Sequence, residues 1–461
     1  MSVLLLAATA ACGRATRTAS EPVAPPASFS SSGSVELPDR WWTALGDPGL
    51  DAAVDTALSA NFDLRIAWER LRAARAVTDR TEALALPLVD ASAEGRVSTP
   101  EDAGSEGGGS GESYSLDLAA SYEVDLWGRI GARIDAERLR AEATRWDYRS
   151  AALTLSAEVS RTWAQLAEAG SQVQLAEEQV ETNATVLELL ENRFGTGQVR
   201  AVDILRQRQL VESTREQLTL ALEREALLEH RLAVLLGRSP QEGTGARPGA
   251  LPTLPPVPET GVPLELVRRR PDVRSAFLRL RAADADVAAA VSDQFPRLTI
   301  FASTATDAGS VGTLFEDWVR SLGGNLLAPL FFGGELRAEV DRAEAVRQQR
   351  LYEYGRATLA AFREVEDALA REARQRQRVG QIETQVELAE QAYAQLRVQY
   401  FNGTSDYLDV LTALDEVQAL RRSLLTARLT LVEARIALYR ALAGSFETAR
   451  ETEAMGGGGD G

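Results

Sequence analysis

His230 is the only imidazole in a chain of 461 residues, and Cys12 is the only thiol. A metal site needs several ligands on one face of an element. His230 sits on a helical pattern between Glu229 and Arg231, with Ala226 and Val234 at i±4, so it pairs with no second ligand and reads as a solvated or interface side chain. Glu364, Glu366 and Asp367 bring together three carboxyls, the groups that do acid–base work. On a helical pattern they read as surface charges rather than a hydrolytic dyad. Arg268, Arg269 and Arg270 would suit an anion, yet Pro271 and Asp272 after them make a helix start. The glycine-rich run at 107–111 lacks the Lys-Ser/Thr and helix start of a phosphate cradle and reads as a loop tip. No catalytic residue and no metal site is therefore expected, and an enzyme has nothing to stand on. A net charge of −17 removes nucleic acid as a partner, since no basic surface exists to meet phosphates.

Cys12 has different chemistry open to it. The apolar start, the small residues Ala10 and Ala11, and then Cys12-Gly13 resemble a bacterial lipoprotein signal, cleaved before a cysteine that is then acylated. No Lys or Arg precedes the apolar run, and Thr9 stands where Leu is usual. Residues 1–12 are thus expected to be a signal peptide, with a covalent lipid on Cys12 and no other cofactor. The Ser-, Ala- and Pro-rich stretch 13–40 reads as a flexible tether and 446–461 as a disordered tail.

The elements between these ends occur twice. Asp63, Arg65, Arg70, Leu71 and Pro87 recur as Asp272, Arg274, Arg279, Leu280 and Pro296, at one offset (272 − 63 = 209). Farther on, Asp135, Gly197, Asp203 and Leu205 recur as Asp341, Gly403, Asp409 and Leu411 (341 − 135 = 206). Two structural repeats, 41–240 and 264–445, are therefore expected around a Pro/Gly-rich linker at 241–263. All 17 prolines fall at 22–100, at 240–296 or at 329. The proline-free spans are rich in Ala, Leu, Glu, Arg and Gln, and proline is what a helix interior excludes. Helices are predicted at 128–192 and 201–236, then at 335–398 and 407–442. At 1.5 Å per residue the longer ones are rods of about 100 Å. Each pair is a long hairpin that must pack as a coiled coil.

Between each short first helix and its long helix the period changes to two. Tyr114, Leu116, Leu118, Ala120, Tyr122 and Val124 alternate with Ser115, Asp117, Ala119, Ser121 and Glu123. That is the pattern of a membrane strand with one lipid face and one wet face. Its partner is predicted at 88–97, and the repeat supplies two more strands at 298–306 and 322–330. Four strands leave open edges that hydrocarbon does not tolerate. Two, three or four copies must therefore close one shared barrel.

The residues in order now resemble a family. Trp41 to Leu50 (WWTALGDPGL), Tyr122 to Arg129 (YEVDLWGR), Arg269 to Arg274 (RRPDVR) and the closing Ala441 to Gly444 (ALAG) are similar to the TolC-like outer-membrane efflux proteins, in their NodT-like lipoprotein branch. The resemblance spans about 39–445. It implies a mainly α fold with a membrane β part. A homotrimer would join four strands per chain into a 12-stranded outer-membrane barrel above a trimeric α-barrel tunnel. It further implies a lipid-anchored duct of the cell outer membrane, extending into the periplasm. That duct would work with a periplasmic adaptor (membrane fusion) protein and an inner-membrane resistance-nodulation-division transporter to export small molecules. The alternatives are an outer-membrane duct for one-step (type I) protein secretion and a coiled-coil scaffold; the alternating strands argue against the scaffold.

The same resemblance makes the hairpin turns the tip of the duct. Phe194, Gly195, Thr196 and Gly197, with Phe401, Asn402, Gly403 and Thr404, are the implied adaptor-docking segments. Leu408, Asp409 and Thr412 are the implied periplasmic gate, with Leu408 as the constricting residue. Thr412 stands where relatives carry an aspartate, and Asp406, Asp409 and Asp415 are the substitutes at hand. Read without the family, Gly197 and Gly403 supply positive-φ turns. Asp203 and Asp409 complement the dipoles of the return helices.

Overall fold

The computed structural model describes residues 23–98, 111–245 and 247–456. The signal segment with Cys12, most of the glycine-rich loop and residues 457–461 lie outside them. The chain divides into two compact units. One is built from Arg72–Thr144 and Ser275–Thr358, the other from Pro25–Leu71, Arg145–Arg274 and residues from Leu359 onward.

The elements follow the predicted duplication. The first repeat contains α1 (Pro48–Ala60), α2 (Phe62–Glu82), β1 (Leu88–Ser98), β2 (Gly111–Val124), α3 (Arg129–Phe194) and α4 (Ala201–Leu235). The second contains α5 (Pro263–Arg269), α6 (Pro271–Ser292), β3 (Arg297–Ala308), β4 (Val319–Leu327), α7 (Glu335–Phe401) and α8 (Tyr407–Leu442), before a closing α9 (Ala449–Gly456). The long helices have 66 and 67 residues. Strong helix formers without proline allow that length.

The sheet is antiparallel in the order β1-β2-β3-β4. Residues opposite each other share a face. Leu118 opposes Ala91 and Thr304, Tyr122 opposes Ile300, and Leu298 opposes Leu326. The alternation seen in β2 therefore carries into β1 and into the β3–β4 segment of Leu298, Ile300, Ala302, Leu322 and Leu326, while Thr304, Thr306 and Arg320 make the same face polar farther along. On the other face Asp117 opposes Ser92 and Ala305, and Ser121 opposes Phe301. Every residue of β1 is exposed, and β1 and β4 each have only one strand beside them. β4 ends at Leu327, three residues short of the predicted 330. Pro329 follows and donates no ladder hydrogen bond, and Leu330 is 93% exposed.

The helical unit holds the core. Trp41 and Trp42 are fully buried and meet edge to face at 5.9 Å. Around them pack Leu50, Val54, Tyr148, Trp163, Ile436 and Tyr439. Asp47 caps α1 by accepting from Gly49 N and Leu50 N, and its second oxygen accepts from Trp163 Nε1 at 2.8 Å. One carboxylate thus fixes the start of α1 against α3.

Two sequence expectations about the segments need correction here. The 446–461 stretch is ordered through α9: Phe446 packs on Trp42 at 4.9 Å, and buried Glu451 accepts from Arg145 Nε at 3.1 Å and Arg149 Nε at 2.9 Å. The 13–40 tether is docked from Phe29 onward. Phe29 packs on Phe362, Ser30 N donates to Glu366 Oε1 at 2.9 Å, and Val35 bridges to Pro258. The 241–263 linker is held as well, because buried Arg435 donates to Pro255 O at 2.7 Å and Pro256 O at 3.1 Å while pairing with Glu372. Acids read as surface charges do the holding. Glu364 accepts from Arg270 Nη2 at 2.9 Å, Arg270 also pairs with Asp272, and Glu366 takes the strap at Ser30. His230 is exposed.

Candidate functional site: the hairpin turns

The two turns are built by the same hydrogen bonds at equivalent residues. Gly197 N donates to Phe194 O and Gln198 N to Arg193 O; Gly403 N donates to Tyr400 O and Thr404 N to Gln399 O. This is the Schellman arrangement, with the i→i−5 bond closing the last turn and a left-handed residue at its end. Gly197 has φ of 77° and Gly403 of 74°. A side chain would strain there, although open space surrounds both Cα atoms. The glycines therefore serve geometry, as read from the sequence. The register also pairs Phe194 with Tyr400, so the two exposed phenylalanines are not counterparts. Phe194 (48% exposed) and Phe401 (52%) stand out from different steps of their turns, and the Arg193 guanidinium lies 5.1 Å over the Phe401 ring. Gly195, Thr196, Asn402 and Thr404 are exposed beside them.

Behind the turns is a small core of Leu190, Val199, Ile204, Tyr407 and Val410. The Tyr407 hydroxyl donates to Gln207 Oε1 at 2.6 Å, and Gln207 Nε2 donates to Asn183 O at 2.7 Å. A latch thus runs from α8 through α4 to α3. Burial pushes the Tyr407 phenol upward, helped by Tyr393, Tyr400 and Asp203. Asp203 corrects the symmetric expectation. It is buried and accepts from Arg200 Nε at 3.0 Å and Nη2 at 3.2 Å, with Asp406 3.6 Å from the same guanidinium. Its hydrogen bond raises the Arg200 pKa, with its charge and that of Asp406 adding to the effect. Its counterpart Asp409 is exposed and accepts only from Ser405 Oγ, at 2.8 Å. The Arg200-to-Asp203 spacing was the signal available in the sequence; the Gln207–Tyr407 link, 200 residues apart, left none.

Leu408, at 43% exposure, and Thr412 lie one helical turn apart on an exposed face of α8. The Thr412 hydroxyl donates to Leu408 O at 2.9 Å, so this side chain is folded onto its own helix. Asp415, also exposed, continues the stripe at i+7 from Leu408, whereas Asp409 is set off by one residue. Leu408, Thr412 and Asp415 therefore share a face, and Asp415 is the acid aligned with the leucine. Among the described residues no cluster of His, Cys, Asp and Glu suits a metal ion, and no helix is long and apolar enough to cross a membrane.

Against known proteins, the family model described as outer membrane efflux protein matches twice, over residues 53–238 and 262–444. Those are the two repeats. The pyoverdine export outer membrane protein OpmQ of Pseudomonas aeruginosa is 33% identical over 427 residues, which cover 89% of this chain and 88% of OpmQ. The solvent efflux pump outer membrane protein SrpC of Pseudomonas putida is 31% identical over 414 residues, covering 88% of this chain and 87% of SrpC. The structure of the outer-membrane channel OprN superposes with a TM-score of 0.86 at 29% identity, covering 92% of this chain and 98% of the OprN chain.

Proposed function

This chain belongs to the outer membrane efflux protein family, and we propose that three copies of it close into the passive exit duct of a tripartite pump for small molecules. Outer-membrane efflux is the function of the family. The observation that carries the finer reading is the sheet: four strands that share an apolar band on one face and leave two unpaired edges, in the same chain as two very long helical hairpins. Lipid satisfies the apolar face, and neighbouring copies satisfy the edges. Three copies give twelve strands. OpmQ and SrpC, named for pyoverdine export and solvent efflux, support small-molecule cargo over secreted protein.

In this reading the wall of the duct carries cargo without chemistry, and the protein is not an enzyme. A periplasmic adaptor docks on the exposed turn residues around Phe194 and Phe401, and an inner-membrane transporter loads the assembly. Cys12 carries a lipid that adds a second anchor to that of the barrel. The stripe Leu408–Thr412–Asp415 narrows the tip, with apolar rings excluding water and the acids setting cation preference; Asp409 contributes charge beside it.

The test is single-channel conductance of the purified protein in planar bilayers. Leu408→Ala should widen the aperture and raise conductance with nearly unchanged assembly, and Asp415→Asn should reduce cation preference more than Asp409→Asn. A Leu408→Ala channel that conducts like its parent would move the constriction elsewhere. A parent that forms no channel would sink the duct itself. Intact mass of the mature protein should show acyl chains on Cys12, lost in Cys12→Ala.

A further inference from the structure

We propose that α7 of one copy binds α4 of the next through arginine–glutamate pairs, Arg378 with Glu216 and Arg371 with Glu223, and that this ladder makes a closed head-to-tail ring the favoured assembly. The proposal rests on the reading of the protein as a ring of copies and assigns the faces that meet.

The argument starts from an interface inside the chain. α3 and α8 run antiparallel, joined by polar side chains repeating every seven residues on α3. Gln165 Nε2 donates to Glu433 Oε1 at 2.6 Å. Gln172 Nε2 donates to Arg422 O at 3.0 Å, Gln179 Oε1 accepts from Arg422 Nη1 at 2.6 Å, and Asn183 and Gln418 exchange two hydrogen bonds at 3.2 and 3.0 Å. A heptad spacing keeps one helix face on its partner.

Duplication turns this interface into a prediction. The offset of 206 carries α3 onto α7 and α8 back onto α4. It holds in the structure at the turns, where Gly197 and Gly403 occupy the same step of the same motif. In a ring of alternating hairpins, the joint equivalent to α3·α8 is α7 against α4 of the next copy. The contact of Gln172 with Arg422 becomes Arg378 with Glu216. That of Gln179 with Arg422 becomes Gln385 with Glu216, and that of Gln165 with Glu433 becomes Arg371 over Leu227, one helical turn from Glu223.

The surfaces agree with this assignment. Arg371, Arg378, Gln385, Glu216 and Glu223 are all exposed, and the intervening Leu220 and Leu227 are 56% and 59% exposed. Among the described residues Arg378, Glu216 and Glu223 have no ion-pair partner, and Arg371 only approaches Asp367 at 3.9 Å along its own helix. Arg224, which would spoil the acidic face, is turned onto Glu168 at 2.9 Å.

The sign pattern adds selectivity. Pairing α7 with α7, or α4 with α4, sets like charges opposite, which disfavours two-fold dimers through either face. Only the heterologous α7·α4 contact pairs opposite charges, and such contacts close into rings. The interface within the chain, whose partners are covalently fixed, has no need of that discrimination and sets amides against Glu433 and Arg422, with no ion pair between α3 and α8 among the described residues.

The test measures assembly by native mass spectrometry of the full-length protein in detergent. Glu216→Arg with Glu223→Arg, or Arg371→Glu with Arg378→Glu, should cut ring recovery about tenfold or more, and combining the four changes should restore it. A parallel pair, Arg378→Cys with Glu216→Cys, should cross-link between copies on oxidation, while each single variant stays at the parental level. Intact rings in both reversal variants, no rescue by the combination, or no cross-link in the cysteine pair would overturn the ladder. A parent that is itself monomeric would overturn the ring reading as well, so the two failures are distinguishable.

Discussion

The helical unit and the sheet unit solve burial in opposite ways. In the helical unit the largest side chains, Trp41 and Trp42, are wholly enclosed, and even charged groups such as Arg435 and Glu372 are buried with partners. In the sheet unit, β1 has no buried residue along its length, and exposed Leu322 (82%) and Leu326 (64%) mark the strand at the opposite edge. The first unit carries its own solvent-excluding core. The second buries Ile130, Leu278 and Leu280 on its helices but leaves its sheet to what surrounds it, so an identical substitution should have different costs in the core and in the sheet.

The largest effect should come from the enclosed core. Trp41→Ala removes a fully buried ring that packs at a tilt on Tyr439 at 6.0 Å and donates to Ser156 Oγ at 3.2 Å. A loss of about 3–5 kcal/mol is expected, read as a fall in thermal stability of the purified assembly. A loss no greater than that of an exposed-site alanine would remove the contrast between the units.

Next comes a change that only a membrane should punish. Leu118→Arg places charge on the apolar face of β2 and should cost about 2–4 kcal/mol near mid-bilayer, while Ala119→Arg on the opposite face should be close to neutral. Insertion into vesicles measures both. Equal penalties would mean that the two faces are not lipid and water.

A smaller effect belongs to the latch at the turns. Tyr407→Phe leaves Gln207 Oε1 without its donor in a buried site and should cost about 1–3 kcal/mol, seen as faster hydrogen exchange around 199–210 and 407–418. The same hydroxyl predicts the smallest effect, a pH step. Its pKa is raised in the fold, so its contribution is complete below the ordinary tyrosine value of about 10 and is lost as pH rises through the folded value. Protection at the turns should hold to pH 9 and fall only in stronger alkali, and the Tyr407→Phe protein should lack that step.

What the sequence made legible follows the range of the causes. The period-two run at 114–124 and the glycines at 197 and 403 act through their immediate neighbours, and both appear as read. At Pro329 two local signals compete: Leu330 continues the apolar alternation, but the strand stops at Leu327, before the proline. The tail was misjudged because its glycines are local while the anchors of Glu451, Arg145 and Arg149, come from some 300 residues upstream. The exposed stripe on α8 was half legible. Leu408 and Thr412 share their stripe with Asp415 through helical spacing, whereas the burial of Asp203 against exposed Asp409 breaks the repeat symmetry from which both had been read.

The strap and the linker carry a consequence for the order in which this protein is finished. Ser30 waits for Glu366, and the carbonyls of Pro255 and Pro256 wait for Arg435. Both segments are therefore held by residues made later, 336 positions after Ser30 and 180 after Pro255. Until then the belt around the helical unit has nothing to fasten to, and the nascent chain stays open. A protein that must be threaded across one membrane before it is built into another gains from this timing: its last two long helices carry the clasps, the strap closing on α7 and the linker on α8.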